Sequence, residues 1–400
     1  MIHAPLCRLD RVDPVGRLCD HTRLSMGYER DNIRRLSAYV PGEQPGYRET
    51  ANGGFGQTIK LNTNENPYPP SPAVLEAVRG LSPEALRLYP PADAAEFRAA
   101  AAEVHGLSPE HVIATNGGDE LLRLLFTVYG VPRDLDRPSA GAGGIGVTDP
   151  SYSLYPVLAH IQDTPITVIE RPDTPDGSFA LPERYADQLN RAGCRLACIV
   201  NPHAPSGRLE PLETLRALAA DFKGLLVVDE AYADFAPHSA LPLLRDDGLD
   251  NVVVLRSLSK GYALAGLRFG YGLAAPSTIA TLDKARDSYN TDILSQAAAT
   301  AALRDQDYAR STWERVIAER ERLAAALRGR GFRVPESHSN FVLATVPPAG
   351  PDAPALYRHL KAHHVLIRYF DRPRLRDRLR ISVGTPSQND RLLELLDTAP

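Results

Sequence analysis

Lysine is scarce in this chain. Basic residues total 45, yet the only lysines are Lys60, Lys223, Lys260, Lys284 and Lys361. A lysine standing inside a patterned motif is therefore not one of many scattered surface charges. Cysteine is scarce too, and Cys7, Cys19, Cys194 and Cys198 are too few for a disulfide scaffold in 400 residues. Cys194 and Cys198, in CRLAC, fall in a strand-like run and read as small core residues. Cys7 and Cys19 lack the paired spacing of a zinc site, and no metal centre is expected. No apolar run approaches the ~18 residues of a membrane span. The opening MIHAPLCRLDRVDP lacks the apolar segment of a secretory signal, so a cytoplasmic protein is expected. Basic excess is absent as well: the formal charge of −4 argues against the basic face of a nucleic-acid binder. The run RPRLRDR, Arg372 to Arg378, is interleaved with acid and reads as a solvated face. No internal repeat is visible.

What is present has the composition of an ordinary globular protein, 43% hydrophobic and 24% charged, long enough for roughly two or three domains. Residues 1–30 read as an extension without periodicity. Residues 31–56 read as an arm rich in glycine, proline and tyrosine. Val131 to Gly146 reads as a surface loop. In between, apolar β-branched runs alternate with amphipathic helices: HVIATNGG then DELLRLLFTVYG, RLACIVNP then PLETLRALAADFKG, then LLVVDEAY and NVVVLRSLSK. That alternation predicts an α/β fold with a mostly parallel sheet covered on both faces. A long helix, TWERVIAERERLAAALRGRG, ends at Gly331, and SNFVLATV, HVLIRYF and RLRISVG follow as strands. The expected division is a large domain over 91–299 and a smaller α+β domain from 57–90 and 300–400.

In a parallel sheet, functional groups gather at the C-terminal strand ends. There this sequence places Asn116-Gly117-Gly118-Asp119, Tyr152, Asn201, Asp229 and Ser257-Leu258-Ser259-Lys260. An amine in a dry, cationic setting becomes a nucleophile toward carbonyls, and Arg256 and Arg268 flank Lys260 in sequence. A lysine after a strand also fits a plain surface charge. Asp229 ends an apolar strand, where a carboxylate needs a cation or several donors; capping a helix from Glu230 is the competing reading. Tyr232 can bring a phenol to a ring oxygen. The NGGDE turn offers backbone N–H groups at a helix N-terminus, and Ser257, Ser259 and Arg268 add phosphate donors. Tyr152 can lie over a planar ring. Amine, carboxylate, phenol and phosphate cradle together describe pyridoxal 5′-phosphate: aldehyde on Lys260 as a Schiff base, ring nitrogen on Asp229, phosphate on Gly117, Gly118, Ser257, Ser259 and Arg268.

These residues resemble fold-type I pyridoxal-phosphate-dependent aminotransferases of the class I/II superfamily, most closely the histidinol-phosphate aminotransferase family. The likeness runs from about Ile33 to the C-terminus. It passes through LNTNENPYPPSP, RLYP, ATNGGDELL, DPSYSLY, NPHAPSG, VVDEAYADF, LRSLSKGYALAGLRFGY, LIRYF and LRISVGTPSQND. The resemblance implies a homodimer with shared sites, in which Tyr89 of RLYP reaches the cofactor phosphate of the neighbouring subunit. It also implies that Tyr39 lines the substrate pocket and that Asn64 lies near it. Arg380 would grip a substrate carboxylate or phosphate, and Arg368 is similar to a second phosphate-binding arginine. The implied activity is transamination between histidinol phosphate and 2-oxoglutarate in histidine biosynthesis, with glutamate as amino donor in reverse. One departure stands out. The family motif Asn-Pro-x-Asn-Pro-Thr-Gly places a ring-oxygen donor where this chain has Ala204, leaving Asn201 and Tyr232 as the candidates. Rival readings on the same cradle are an aminotransferase for aromatic or other amino acids and a phosphothreonine-type decarboxylase. A cofactor-binding regulator would need a DNA-binding module that residues 1–30 do not supply. A nucleotide-binding domain would leave Lys260 and Asp229 unexplained.

Overall fold

Successive residues of the apolar runs point to opposite faces of a sheet, and two separate cores form as a result. Leu226, Val228, Val252 and Val254 join one buried cluster, whereas Leu225, Val227, Val253 and Leu255 join the other. The computed structural model describes residues 27–39, 41–44, 58–133, 143–246 and 248–399. Cys7, Cys19 and most of the expected N-terminal extension lie outside the described residues, as do 45–56 of the arm and 134–142 of the loop.

In chain order the strands are β1 (Ile59–Leu61), β2 (Val112–Thr115), β3 (Gly144–Asp149), β4 (Ile166–Glu170), β5 (Cys194–Val200) and β6 (Leu225–Asp229). They continue as β7 (Val252–Ser257), β8 (Gly270–Ala274), β9 (Phe341–Thr345), β10 (Val365–Tyr369) and β11 (Arg378–Ser382). Seven form one sheet in the order β2-β8-β7-β6-β5-β3-β4, with β8 antiparallel to both neighbours and the remaining pairs parallel. Because β8 reverses direction between them, β2 and β7 run the same way, and their C-terminal ends share one edge. The other sheet is β1-β10-β11-β9, packed around Leu61, Leu323, Val342, Ile367 and Ile381. It joins a strand from the N-terminal side of the large sheet to three from the C-terminal side.

The expected surface loop from Val131 to Gly146 is corrected at its end. Gly144, Ile145 and Gly146 are buried and begin β3. Glycine disguised that strand, yet Gly146 is required there: a Cβ would stand 2.1 Å from the Leu189 side chain. The long helix spans Gln306–Gly329 and stops as expected, with Gly331 in the left-handed region at φ +83°. The Arg372–Arg378 run is not simply a solvated face. Arg378 is 5% exposed and lies over the Phe179 ring at 4.6 Å, donating to Gly177 O and reaching Asp173. Cys194 and Cys198 are buried free thiols in β5. Among the described residues no helix is long and apolar enough to cross a membrane, and no group of three or more His, Cys, Asp or Glu is placed to hold a metal ion.

Candidate active site

A cavity of about 790 Å³ lies beside the C-terminal edge of the large sheet and reaches the small one. Register accounts for the assembly: Asp229, the last residue of β6, pairs with Val200 on one side and Leu255 on the other. Two residues beyond Leu255, β7 ends at Ser257, and the turn that follows delivers Ser259 and Lys260 to the same cavity.

Lys260 Nζ donates to the Thr63 carbonyl at 2.8 Å. Burial drives its ammonium down to about 8, against the pull of Glu65 and with the repulsion of Arg380, Lys60 and Arg268. Glu65 also lines the cavity, its carboxylate taking the Lys60 ammonium and the Thr63 hydroxyl. Asp229 is pushed up to about 6 by burial, which outweighs the bonds it accepts from the Tyr155 hydroxyl at 2.8 Å and the Ala231 N–H at 3.1 Å. No basic side chain pairs with it among the described residues. No helix starts at Glu230; the turn that follows is the short 3-10 helix Ala233–Phe235, so the competing reading of Asp229 as a helix cap does not hold. Tyr155 escaped the sequence reading because it looks like any apolar-face residue of the helix Leu154–Ile161. Its place three residues after Tyr152 was the signal.

Tyr232 accepts from Asn64 Nδ2 at 3.0 Å and packs edge-on against Phe341. Asn64, at φ +58°, is in turn locked by Ser382 and Asn340. At the phosphate-like end, Gly118 and Asp119 open the helix Gly117–Tyr129. Asp119 accepts from the Tyr152 hydroxyl at 3.1 Å and from Arg268 Nη2 at 3.3 Å. Gly117 does not itself line the cavity, but a Cβ there would sit 2.8 Å from Arg268 Nη2, so glycine makes room for the guanidinium. Ser257, Ser259 and Arg268 line the cavity, as do Tyr39 and Tyr152, whose rings meet at 6.1 Å and 70°.

From the small sheet come Arg368 and Arg380, both cavity-lining. Arg380 Nη2 donates to Asn62 O at 3.0 Å, while its buried Nε has no partner. Two further residues of the sequence reading do not line this cavity. Asn201 does not line the cavity: its Oδ1 accepts from the Glu210 N–H at 2.8 Å, while its buried Nδ2 has no hydrogen-bond partner among the described residues. Tyr89, expected at the neighbouring subunit's cofactor, is 80% exposed and stacks on Tyr289 at 4.5 Å. Sequence reading also missed His203. Its Nε2 meets the Pro150 carbonyl at 2.8 Å, so that nitrogen carries the proton. Nδ1 then accepts from Ser206 Oγ at 2.8 Å. The ring thereby ties the loop before Tyr152 to the loop that carries Ala204, and Ala204 forms part of the cavity wall.

An activated lysine, a buried carboxylate lacking a cation, a helix N-terminus and two arginines without a carboxylate partner among the described residues define, around one cavity, a transaminase-type site. The class agrees with a family comparison: the model of the aminotransferase class I and II family matches residues 57–396. A histidinol-phosphate aminotransferase of Trichormus variabilis is 42% identical over 92% of this chain and 98% of its own length. That of Geotalea uraniireducens has the same identity over 92% and 98%. Among solved structures, the histidinol-phosphate aminotransferase of Sinorhizobium meliloti in complex with pyridoxal 5′-phosphate superposes with a TM-score of 0.80 at 27% identity, covering 94% of this chain and 100% of that one. The chain belongs to the class I and II aminotransferases and, among them, to the histidinol-phosphate aminotransferase family. Membership implies pyridoxal phosphate as the cofactor.

Proposed function

We propose that this aminotransferase moves the amino group of histidinol phosphate to 2-oxoglutarate, using pyridoxal phosphate held by Lys260 and Asp229. The observation that carries the substrate choice is the Arg368–Arg380 pair, two guanidinium groups lining the Lys260 cavity with no carboxylate in ion-pair reach among the described residues. A phosphate ester supplies the charge that this pair lacks.

The residues fit the cofactor. Asp229 is a buried carboxylate raised to about 6, and a protonated ring nitrogen is the cation that would restore its charge. Gly118, Asp119, Ser257, Ser259 and Arg268 would hold the phosphate through backbone N–H groups, hydroxyls and a guanidinium. When bound, pyridoxal phosphate supplies an aldehyde for the amino group and a ring that withdraws electrons from the substrate Cα. Lys260, poised near neutrality, serves first as the nucleophile and then as the base and acid at Cα. Tyr232, oriented by Asn64, is the phenol available to the ring oxygen; Ala204 contributes only a methyl group. Tyr39 and Tyr152 form aromatic walls that keep water away. Tyr155 acts behind Asp229 by holding its carboxylate in place.

The active unit is a homodimer in this reading. Support comes from Leu86, Leu88 and Tyr89, which are 61%, 56% and 80% exposed on one segment. A second subunit would cover that apolar surface and bring Tyr89 to its neighbour's phosphate.

The test is an absorbance titration of the yellow holoenzyme. Histidinol phosphate should bleach it and 2-oxoglutarate should restore it. Unphosphorylated histidinol should need about 100-fold more for the same effect, the worth of roughly two charge-assisted bonds. Equal response to both alcohols, or preference for an aromatic amino acid, would reject the substrate. Carbon dioxide release from phosphothreonine would point to the decarboxylase alternative.

A further inference from the structure

The Phe370–Arg372 turn follows β10 and brings a third arginine to the cavity. Arg372 N donates to the Phe370 carbonyl at 2.8 Å, and both side chains line the pocket. Phe370 stands between the two arginines of the sheet, with the Arg368 guanidinium 5.2 Å and the Arg380 guanidinium 5.5 Å from its ring centre. Arg372 differs from those two. Its Nη2 lies 3.1 Å from Asp149 Oδ1, at the C-terminal end of β3, just before the Pro150–Tyr152 segment of the cavity wall. The pair is open to water, with side chains 51% and 37% exposed, and exposed ion pairs of this kind are weak.

We infer that Arg372 is a specificity-determining residue: a third guanidinium for the substrate phosphate, held by Asp149 until a phosphate dianion draws it away. The inference rests on the proposed phosphorylated substrate. One pocket must accept glutamate, whose negative charge is divided between two separate carboxylates, and a phosphate ester that concentrates up to two charges on one group. Two fixed arginines can take one carboxylate each. The phosphate gathers its charge and three acceptor oxygens in one place, where a further guanidinium can bind, and that guanidinium would be a liability if it stayed uncompensated while glutamate is bound. Exchanging one oxyanion for another solves this at little cost. The Arg372–Asp149 pair is weak, the bond from guanidinium to phosphate is charge-assisted and bidentate, and the released Asp149 carboxylate has water at hand.

The experiment follows each half-reaction of the full-length holoenzyme by absorbance, with histidinol phosphate or with glutamate, in wild type, Arg372→Gln, Arg372→Lys and Asp149→Asn. Arg372→Gln should raise KM for histidinol phosphate by about tenfold or more, the loss of a bond to a charged group. Its effect on KM for glutamate should be several times smaller. Arg372→Lys, which keeps the charge but not the fork, should fall between. Asp149→Asn should lower KM for histidinol phosphate by about two- to fivefold, because a weak competitor is gone. Equal effects of Arg372→Gln on both substrates, no effect on either, or a rise in KM with Asp149→Asn would overturn the inference alone. A wild-type enzyme inert toward histidinol phosphate would overturn the substrate proposal and this inference with it.

Discussion

Arg368 of β10 and Arg380 of β11 are direct partners across an antiparallel ladder, and neither has a carboxylate within ion-pair reach among the described residues. Like charges set opposite each other destabilise a sheet. Burial already lowers the pKa of Arg380, with Arg368 adding to the effect. Such a pair persists where a ligand supplies the missing charge. Arg368→Gln should therefore stabilise the unliganded protein by about 0.2–1 kcal/mol while raising KM for histidinol phosphate. Chemical denaturation and half-reaction kinetics on the same preparation check both signs. A variant that is less stable and binds substrate equally well would contradict this assignment.

Lys260 should react as an amine with a pKa of about 8, well below ordinary lysine. Since the neutral amine is the nucleophile, capture of pyridoxal phosphate by the cofactor-free protein should accelerate as pH rises and level off above about 8. Rapid-mixing absorbance reads this profile directly. A rate still climbing at pH 10 would show an unperturbed amine.

Asp229 carries the opposite sign. Its folded-state pKa is raised from 3.8 to about 6, so the folded, cofactor-free protein holds a proton that the unfolded chain releases. This contribution to stability is lost as pH rises through that window. A cation at the carboxylate favours the ionised form, so cofactor affinity should strengthen as pH rises through about 6. Asp229→Asn should remove that component, and the ratio of the two dissociation constants across pH 5 to 7 isolates it from the cofactor's own titrations.

Beneath the site, Glu230 accepts from Arg256 Nη1 at 3.0 Å, Ser239 Oγ at 2.6 Å and the Ala240 N–H, and Arg256 also pairs with Asp234. Glu230 is 1% exposed and does not line the cavity. Glu230→Ala should cost about 3–5 kcal/mol by leaving part of a buried charge cluster unpaired. A urea or guanidinium melt measures it.

Residues that stand together in a local motif were the legible ones. Lys260, Ser257 and Ser259 sit together in SLSK, and the β6 run LLVVD announces both its strand and the acid that ends it. What escaped depends on tertiary partners. Tyr155 looks apolar until its hydroxyl meets Asp229 at the end of β6. The strand beginning Gly144-Ile145-Gly146 reads as a loop because Gly146 is there to clear the Leu189 side chain, not to make a turn. Asn201 was expected at the ligand, and the backbone of Glu210 takes only its Oδ1, leaving a buried Nδ2 without a partner among the described residues. Arg372 and Arg378 were hidden in an acid-interleaved run that sequence cannot divide into cavity, core and solvent.

Reduction of the yellow holoenzyme with borohydride, followed by peptide mass mapping, bears most directly on the amine at position 260. The phosphopyridoxyl mass should appear on the peptide containing Lys260, with Lys60 unmodified despite its position beside Glu65 at the same cavity. Label on Lys60, or no fixed label on a protein that still transaminates, would contradict the assignment.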